Sequence, residues 1–269
     1  MDGVSVIIPA RNEPYLQNTI NGIFDAAKGD IEVIAILDGY WPDPPIERNS
    51  KLILIHFSES RGMRPSINAA ARLAKGKYLM KCDAHCLFPE GFDTTLSEDC
   101  RHHWVLVPPR YKLNVTDWTR GEKVCGCEYI NLPDFKGKKW PEYEEKIKDK
   151  PLANLMTMQG SCWFMHRERF LYFGGLDDVN YGTMGREAQE ISLKAWLSKG
   201  RLVLDQNTWY AHWSKSKSTF PSMKAEKEKS KQYCQELWLK DKWPKQKRSL
   251  AWLYEKFAPV PTEKKYLKE

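Results

Sequence analysis

At 269 residues the chain is long enough for one large domain, and 42% hydrophobic residues is ordinary for a protein with a buried core. No apolar run approaches the ~18–20 residues of a membrane-spanning helix. Seven cysteines, an odd number at irregular spacing, argue against a disulfide framework and point to reduced thiols in a cytoplasmic setting.

The net charge of +7 is unevenly spread. From Ser214 onward there are 15 Lys/Arg against 7 Asp/Glu, whereas the rest of the chain holds 27 against 28. A neutral body with a basic appendage suits a polyanionic partner, either nucleic acid or an anionic membrane surface; a solvated Lys-rich helix has the same composition.

Met1 to Pro9 lacks the basic start and cleavage site of a signal peptide and reads as an opening strand. Val4 to Pro9 is a continuous apolar run of the kind buried on both faces in a parallel sheet. After the turn Ala10-Arg11-Asn12-Glu13-Pro14, Leu16, Ile20, Ile23, Phe24 and Ala27 recur at helical spacing, and Gly29 stops the helix. Ile31 to Leu37 is a second strand ending at Asp38-Gly39, and beyond the Pro-rich loop 41–45 lies a third, Leu52 to Phe57. Arg61-Gly62 precedes a helix from Pro65 to Ala74, stopped by Gly76, and Tyr78 to Met80 is a fourth strand. Strand and helix alternating at this pace mean an α/β fold with a mainly parallel sheet flanked by helices.

The next stretch carries less signal. Trp104 to Val107 reads as a strand and Lys136 to Lys150 as a charged, exposed loop or short helix. Met158 to Met165 is apolar and broken by Gly160-Ser161; helices follow at His166 to Phe173 and Arg186 to Lys199, then short strands at Leu202 to Leu204 and Trp209 to Trp213. The segment 214–269 is Lys-rich but carries Trp238, Trp243, Trp252, Tyr254 and Phe257, too many aromatics for a disordered tail. It reads as a helical extension whose aromatics either dock on the body, residues 1–213, or meet a partner.

The chemistry concentrates where the fourth strand ends. Asp83 and His85 are spaced i, i+2, so in extended chain both point to one side, at the strand end where α/β sheets collect ligands. A carboxylate and an imidazole there make two ligands for a divalent cation, although an Asp-x-His also suits an ordinary strand end. Cys125-Gly126-Cys127 has no second pair at zinc-site spacing, and the adjacent His102-His103 suits a surface better than a metal.

Four ordered blocks resemble one family. Val4 to Glu13 resembles the opening of GT-A glycosyltransferases of family 2, and Arg61 to Cys86, with its Asp-Ala-His-Cys, is similar to the polypeptide N-acetylgalactosaminyltransferases. Gly185-Arg186-Glu187-Ala188-Gln189-Glu190-Ile191-Ser192 and Ala211-His212-Trp213 resemble two further segments of those enzymes.

The resemblance implies a GT-A (Rossmann-like) domain and a nucleotide-sugar donor, a UDP-sugar. It implies a divalent metal held by Asp83, His85 and His212, Mn²⁺ rather than Mg²⁺ because the donor set mixes carboxylate and imidazole. Pro9, Ala10, Glu13, Asp38, Arg61, Arg64 and Asp83 would line the donor pocket. Gly160, Ser161 and Trp163 would lie on the acceptor side, and Glu187 and Glu190 would be the catalytic carboxylates. Ala188 stands where the family carries its usual second acidic residue, which turns the expectation away from simple inversion and towards retention of configuration. The acceptor is open to three readings: a hydroxymethylated base in DNA, a glycan or lipid-linked acceptor at an anionic membrane, or a nucleic acid bound without catalysis.

Overall fold

The structure, a computed structural model, describes residues 1–182, 185–215, 224–262 and 264–267. The first half runs β1 (Val4–Ala10), α1 (Leu16–Ala26), β2 (Ile31–Asp38), β3 (Leu52–Phe57), α2 (Met63–Leu73), β4 (Tyr78–Cys82), β5 (Cys86–Leu87), α3 (Phe92–Asp99) and β6 (Trp104–Val107). There follow β7 (Arg110–Asn114), β8 (Thr119–Lys123), β9 (Glu128–Asn131), β10 (Lys136–Lys139), α4 (Pro141–Ile147), β11 (Leu152–Asn154), β12 (Cys162–His166) and α5 (Arg167–Phe173). Last come α6 (Glu187–Leu197), β13 (Arg201–Asp205), β14 (Tyr210–His212), α7 (Lys224–Trp238) and α8 (Leu250–Lys256).

Eight strands form one sheet in the order β3-β2-β1-β4-β12-β6-β13-β11. β3, β2, β1 and β4 are mutually parallel, β12 runs against both β4 and β6, β13 is parallel to β6, and β11 closes the edge antiparallel. The fold is therefore α/β with a mixed, mainly parallel sheet. The alternation of β1 feeds both faces. Val4, Val6 and Ile8 pack with Ile20 and Ile23 of α1 and Phe92 and Leu96 of α3. Ile7 joins Ile67 and Ala70 of α2, Phe170 of α5 and Ile191 and Trp196 of α6 on the opposite face. Each fully buried Ile or Leu contributes ~1.5–3 kcal/mol, so the two-sided burial of β1 and β2 fixes the sheet beneath the site.

A second sheet, β5-β14-β7-β8, stands beside the first, and β9 pairs with β10 as a hairpin. The reading of Lys136 to Lys150 as loop or short helix is corrected in its first four residues, which are β10, while α4 supplies the helix. β10 reads Lys-Gly-Lys-Lys and is mostly exposed, so it carries no apolar alternation; pairing with β9 makes it a strand.

Cys234, Trp238, Trp243, Leu250, Leu253, Tyr254, Phe257 and Val260 of the C-terminal segment are buried in the same core as Ile191 and Trp196. These aromatics face the body and are not free to stack on a partner, whereas Trp252 is only partly buried. Residues 216–223 of that segment lie outside the described residues. No helix among the described residues is long and apolar enough to cross a membrane.

Candidate active site

β4 ends at Cys82, and the Asp83 N–H donates to the Ser161 carbonyl at 2.9 Å, carrying the β4–β12 pairing one step further. The chain then turns into β5, which pairs antiparallel with β14 so that Cys86 faces His212. That pairing brings His212 against His85, 127 residues away in sequence. One ligand atom each from Asp83, His85 and His212 lies within 4.8 Å of the others. The Nε2 atoms of His85 and His212 are 3.1 Å apart, and Asp83 Oδ2 is 3.1 Å from His212 Nε2. The two histidine side chains are buried, and that of Asp83 is 27% exposed.

The electrostatics suit a cation. Burial would raise the Asp83 carboxyl, but the Lys81 ammonium and the His212 hydrogen bond outweigh it and hold the group far below the usual carboxylate range. Burial depresses His212 below an ordinary histidine against the pull of Asp83, which keeps it the neutral imidazole a metal needs. Glu13 Oε2 sits 3.1 Å from His85 Nδ1 and its other oxygen pairs with Lys215. Glu13 thus accepts the hydrogen bond of a protonated Nδ1 and leaves the Nε2 lone pair facing His212, the usual outer-shell device of metal-binding histidines. Two imidazole nitrogens and a carboxylate aimed at one point fit a divalent ion.

Beneath this cluster lies a residue that motif reading missed. Lys81 is 1% exposed, and its Nζ reaches Asp83 Oδ1 at 2.7 Å, the Gly160 carbonyl at 2.8 Å and Glu187 Oε2 at 3.6 Å. Its signal was legible: a lysine inside the apolar strand Tyr78–Cys82, two residues before Asp83 and so on the same side. Glu187, the first residue of α6, also accepts from the Trp163 indole N–H at 2.7 Å. Gly160 has φ +98°, and a Cβ there would sit 3.1 Å from that of Ala188, so only glycine suits this approach to α6. Ser161 Oγ meets the Tyr210 hydroxyl at 2.6 Å.

Several expected side chains have other occupations. Trp163 is fully buried, stacked on Phe170, and positions Glu187 instead of facing an acceptor. Glu190 is buried and pairs with Arg64 and with Lys194 at 2.5 Å, which leaves it no free oxygen for proton transfer. Arg64 is spent on that pair, on the carbonyls of Asp177 and Gly185, and on the Tyr181 ring; it braces α2 against α6 and does not open to a donor. Asp38 is 1% exposed, with Oδ1 accepting from the Arg61 N–H and Oδ2 from Ser60 Oγ and the Gly62 N–H, so it shapes the loop before α2. The exposed Arg61 guanidinium lies 4.6 Å from the Phe57 ring centre. Pro9 and Ala10 end β1, the first half-buried and the second buried. Glu13 belongs to the histidine cluster.

Residues 5–171 match the family Glycosyl transferase family 2, and the chain belongs to that family. Probable N-acetylgalactosaminyltransferase 8 of Caenorhabditis elegans is 23% identical over 226 residues, 74% of this chain and 52% of the relative. The crystal structure of GalNAc-T7 with UDP, GalNAc and Mn2+ superimposes with a TM-score of 0.73 at 19% identity, over 89% of this chain and 49% of that one. S. aureus TarS gives 0.52 at 14% identity, over 79% and 37%. The fold is GT-A. The chain spans about half the length of the curated relative it matches.

Proposed function

We propose that this chain is a metal-dependent glycosyltransferase that moves a sugar from a nucleotide diphosphate sugar, with UDP as the nucleotide, to a hydroxyl acceptor. The convergence of Asp83, His85 and His212 at the carboxyl end of β4 carries the reading. The ion those residues would hold supplies charge stabilisation to the leaving diphosphate. The mixed carboxylate and imidazole set favours Mn²⁺ over Mg²⁺, and the structural neighbour solved with UDP and Mn2+ supports both choices. Glu187 is the α6 carboxylate beside the cluster. Because it is tied to Trp163 and Lys81, it orients rather than abstracts a proton, which supports retention of configuration, with the acceptor proton passing to the leaving phosphate.

For the acceptor, the basic C-terminal segment favours a polyanion, and we take a hydroxymethylated base in DNA as the first candidate and an anionic membrane glycan as the second. Seven free cysteines support a reducing compartment such as the cytoplasm.

The test is a donor screen for Mn²⁺-dependent sugar release, repeated with DNA, peptide and glycan acceptors. Asp83→Ala and His212→Ala should each lower the rate at least 100-fold while leaving the circular dichroism spectrum unchanged; full activity in excess chelator would sink the reading. An inverted anomeric proton in the product, read by NMR, would overturn retention. A steep salt dependence of duplex binding is expected for the DNA acceptor, and no binding at low salt would exclude it.

A further inference from the structure

Lys81 stands where the sheet calls for an apolar side chain. Its register partners are Ile7 on β1 and Trp163 on β12, both fully buried. An ammonium buried there is costly unless carboxylates face it, and such pairing seldom adds net stability over well-packed apolar residues. The fold alone therefore gives no reason for a lysine inside β4.

Its contacts give one. The ammonium takes Asp83 Oδ1 at 2.7 Å, while the other oxygen, Oδ2, lies 3.1 Å from His212 Nε2. On its other side Lys81 meets Glu187 Oε2 at 3.6 Å, and Trp163, its neighbour across the sheet, donates to Glu187 Oε1 at 2.7 Å. Two aligned residues thus hold the two oxygens of one carboxylate. The Gly160 carbonyl accepts a further N–H of Lys81 at 2.8 Å. A continuous path runs from His212 through Asp83 and Lys81 to Glu187 at the start of α6. Because Lys81 lies between two carboxylates, the three side chains sum to one negative charge; with an apolar residue in its place they would sum to two.

We propose that Lys81 is a positioning residue that weakens the hold of the ligand cluster on a divalent ion. It withholds Asp83 Oδ1, so that Asp83 offers the ion one oxygen, and its charge opposes that of the ion. This rests on the reading of Asp83, His85 and His212 as a metal site. The consequence is that tight metal binding requires the diphosphate of the nucleotide as well as the protein.

Paramagnetic resonance of free Mn²⁺ measures the affinity in wild type, Lys81→Met, Glu187→Gln and the double variant. Removing Lys81 should tighten Mn²⁺ binding roughly tenfold, because a repelling charge leaves and Asp83 regains its second oxygen. The gain should appear against wild type and again against Glu187→Gln, since the charge changes by the same amount in both. A lysine that merely filled the sheet would, on removal, leave the affinity unchanged or lower it. Saturating UDP should tighten Mn²⁺ binding more in wild type than in Lys81→Met, which already holds the ion without it. Should Lys81→Met fail to fold, with two carboxylates buried and unpaired, the double variant, whose charge equals that of wild type, carries the comparison with Glu187→Gln. Unchanged or weaker Mn²⁺ binding on removal of Lys81 overturns the proposal and leaves the metal site standing. No Mn²⁺ binding by wild type, with or without UDP, overturns both.

Discussion

Glu13 shows how much of a site's chemistry lies one step behind the ligands. Its carboxylate holds His85 Nδ1 and pairs with Lys215, so it decides which nitrogen of His85 faces the cluster. Removing such a partner from a metal-binding histidine lowers metal affinity about 10–100-fold. Glu13→Ala should therefore weaken Mn²⁺ binding by that factor, measured by paramagnetic resonance of free Mn²⁺, and an unchanged affinity would return Glu13 to the donor pocket. The residue types at the site were legible because coordination restricts them: few side chains other than Asp and His suit an i, i+2 pair for a hard cation. Their occupations were not legible. Nothing in the local sequence says that Glu190 meets Arg64, 126 residues away, or that the Trp163 indole meets Glu187. Lys81 was the exception, an ammonium in the middle of an apolar strand.

Among elements, α6 is held by charge as much as by packing. Arg64 of α2, Glu190 and Lys194 are buried together, and removing one member of such a set leaves an unmatched buried charge. Arg64→Met should destabilise the fold by about 3 kcal/mol, and pairing it with Glu190→Gln should recover part of that loss in urea melts. At the end of β13, Asp205 is buried, and burial, opposed by the Asn207 N–H and assisted by Asp99, raises its carboxyl to about 6. A folded-state pKa above the unfolded one means that protonation favours folding. This contribution is fully present below pH ~4 and is lost as pH rises through about 6. Asp205→Asn should thus raise the melting temperature at pH 8 by the equivalent of up to ~3 kcal/mol and change it little at pH 4. A gain equal at both pH values would contradict the assignment. The long strands and helices could be read from sequence because each buries a periodic apolar face. β8 could not, since Thr119–Lys123 is exposed throughout and is a strand only because β7 pairs with it.

Over the whole molecule, the C-terminal segment and the GT-A body share one core, with Trp238 fully buried and its indole N–H on the Tyr181 hydroxyl at 2.8 Å. Trp238→Ala should cost about 3–5 kcal/mol. Unfolding followed at Trp fluorescence and at backbone dichroism should remain one coincident transition, whereas two separate transitions would show that the segment is an independent unit. The main sheet is built from apolar repetition and was anticipated in outline. The second sheet depends on partners far apart in the chain and was not. That dependence affects how the protein comes into being. Asp83 and His212 are separated by 129 positions, so the cluster cannot close on a growing polypeptide until β14 has left the ribosome. At ordinary elongation rates that is a wait on the order of ten seconds after Asp83 is made. For that interval the opening strands are already present while the last ligand has yet to be synthesised.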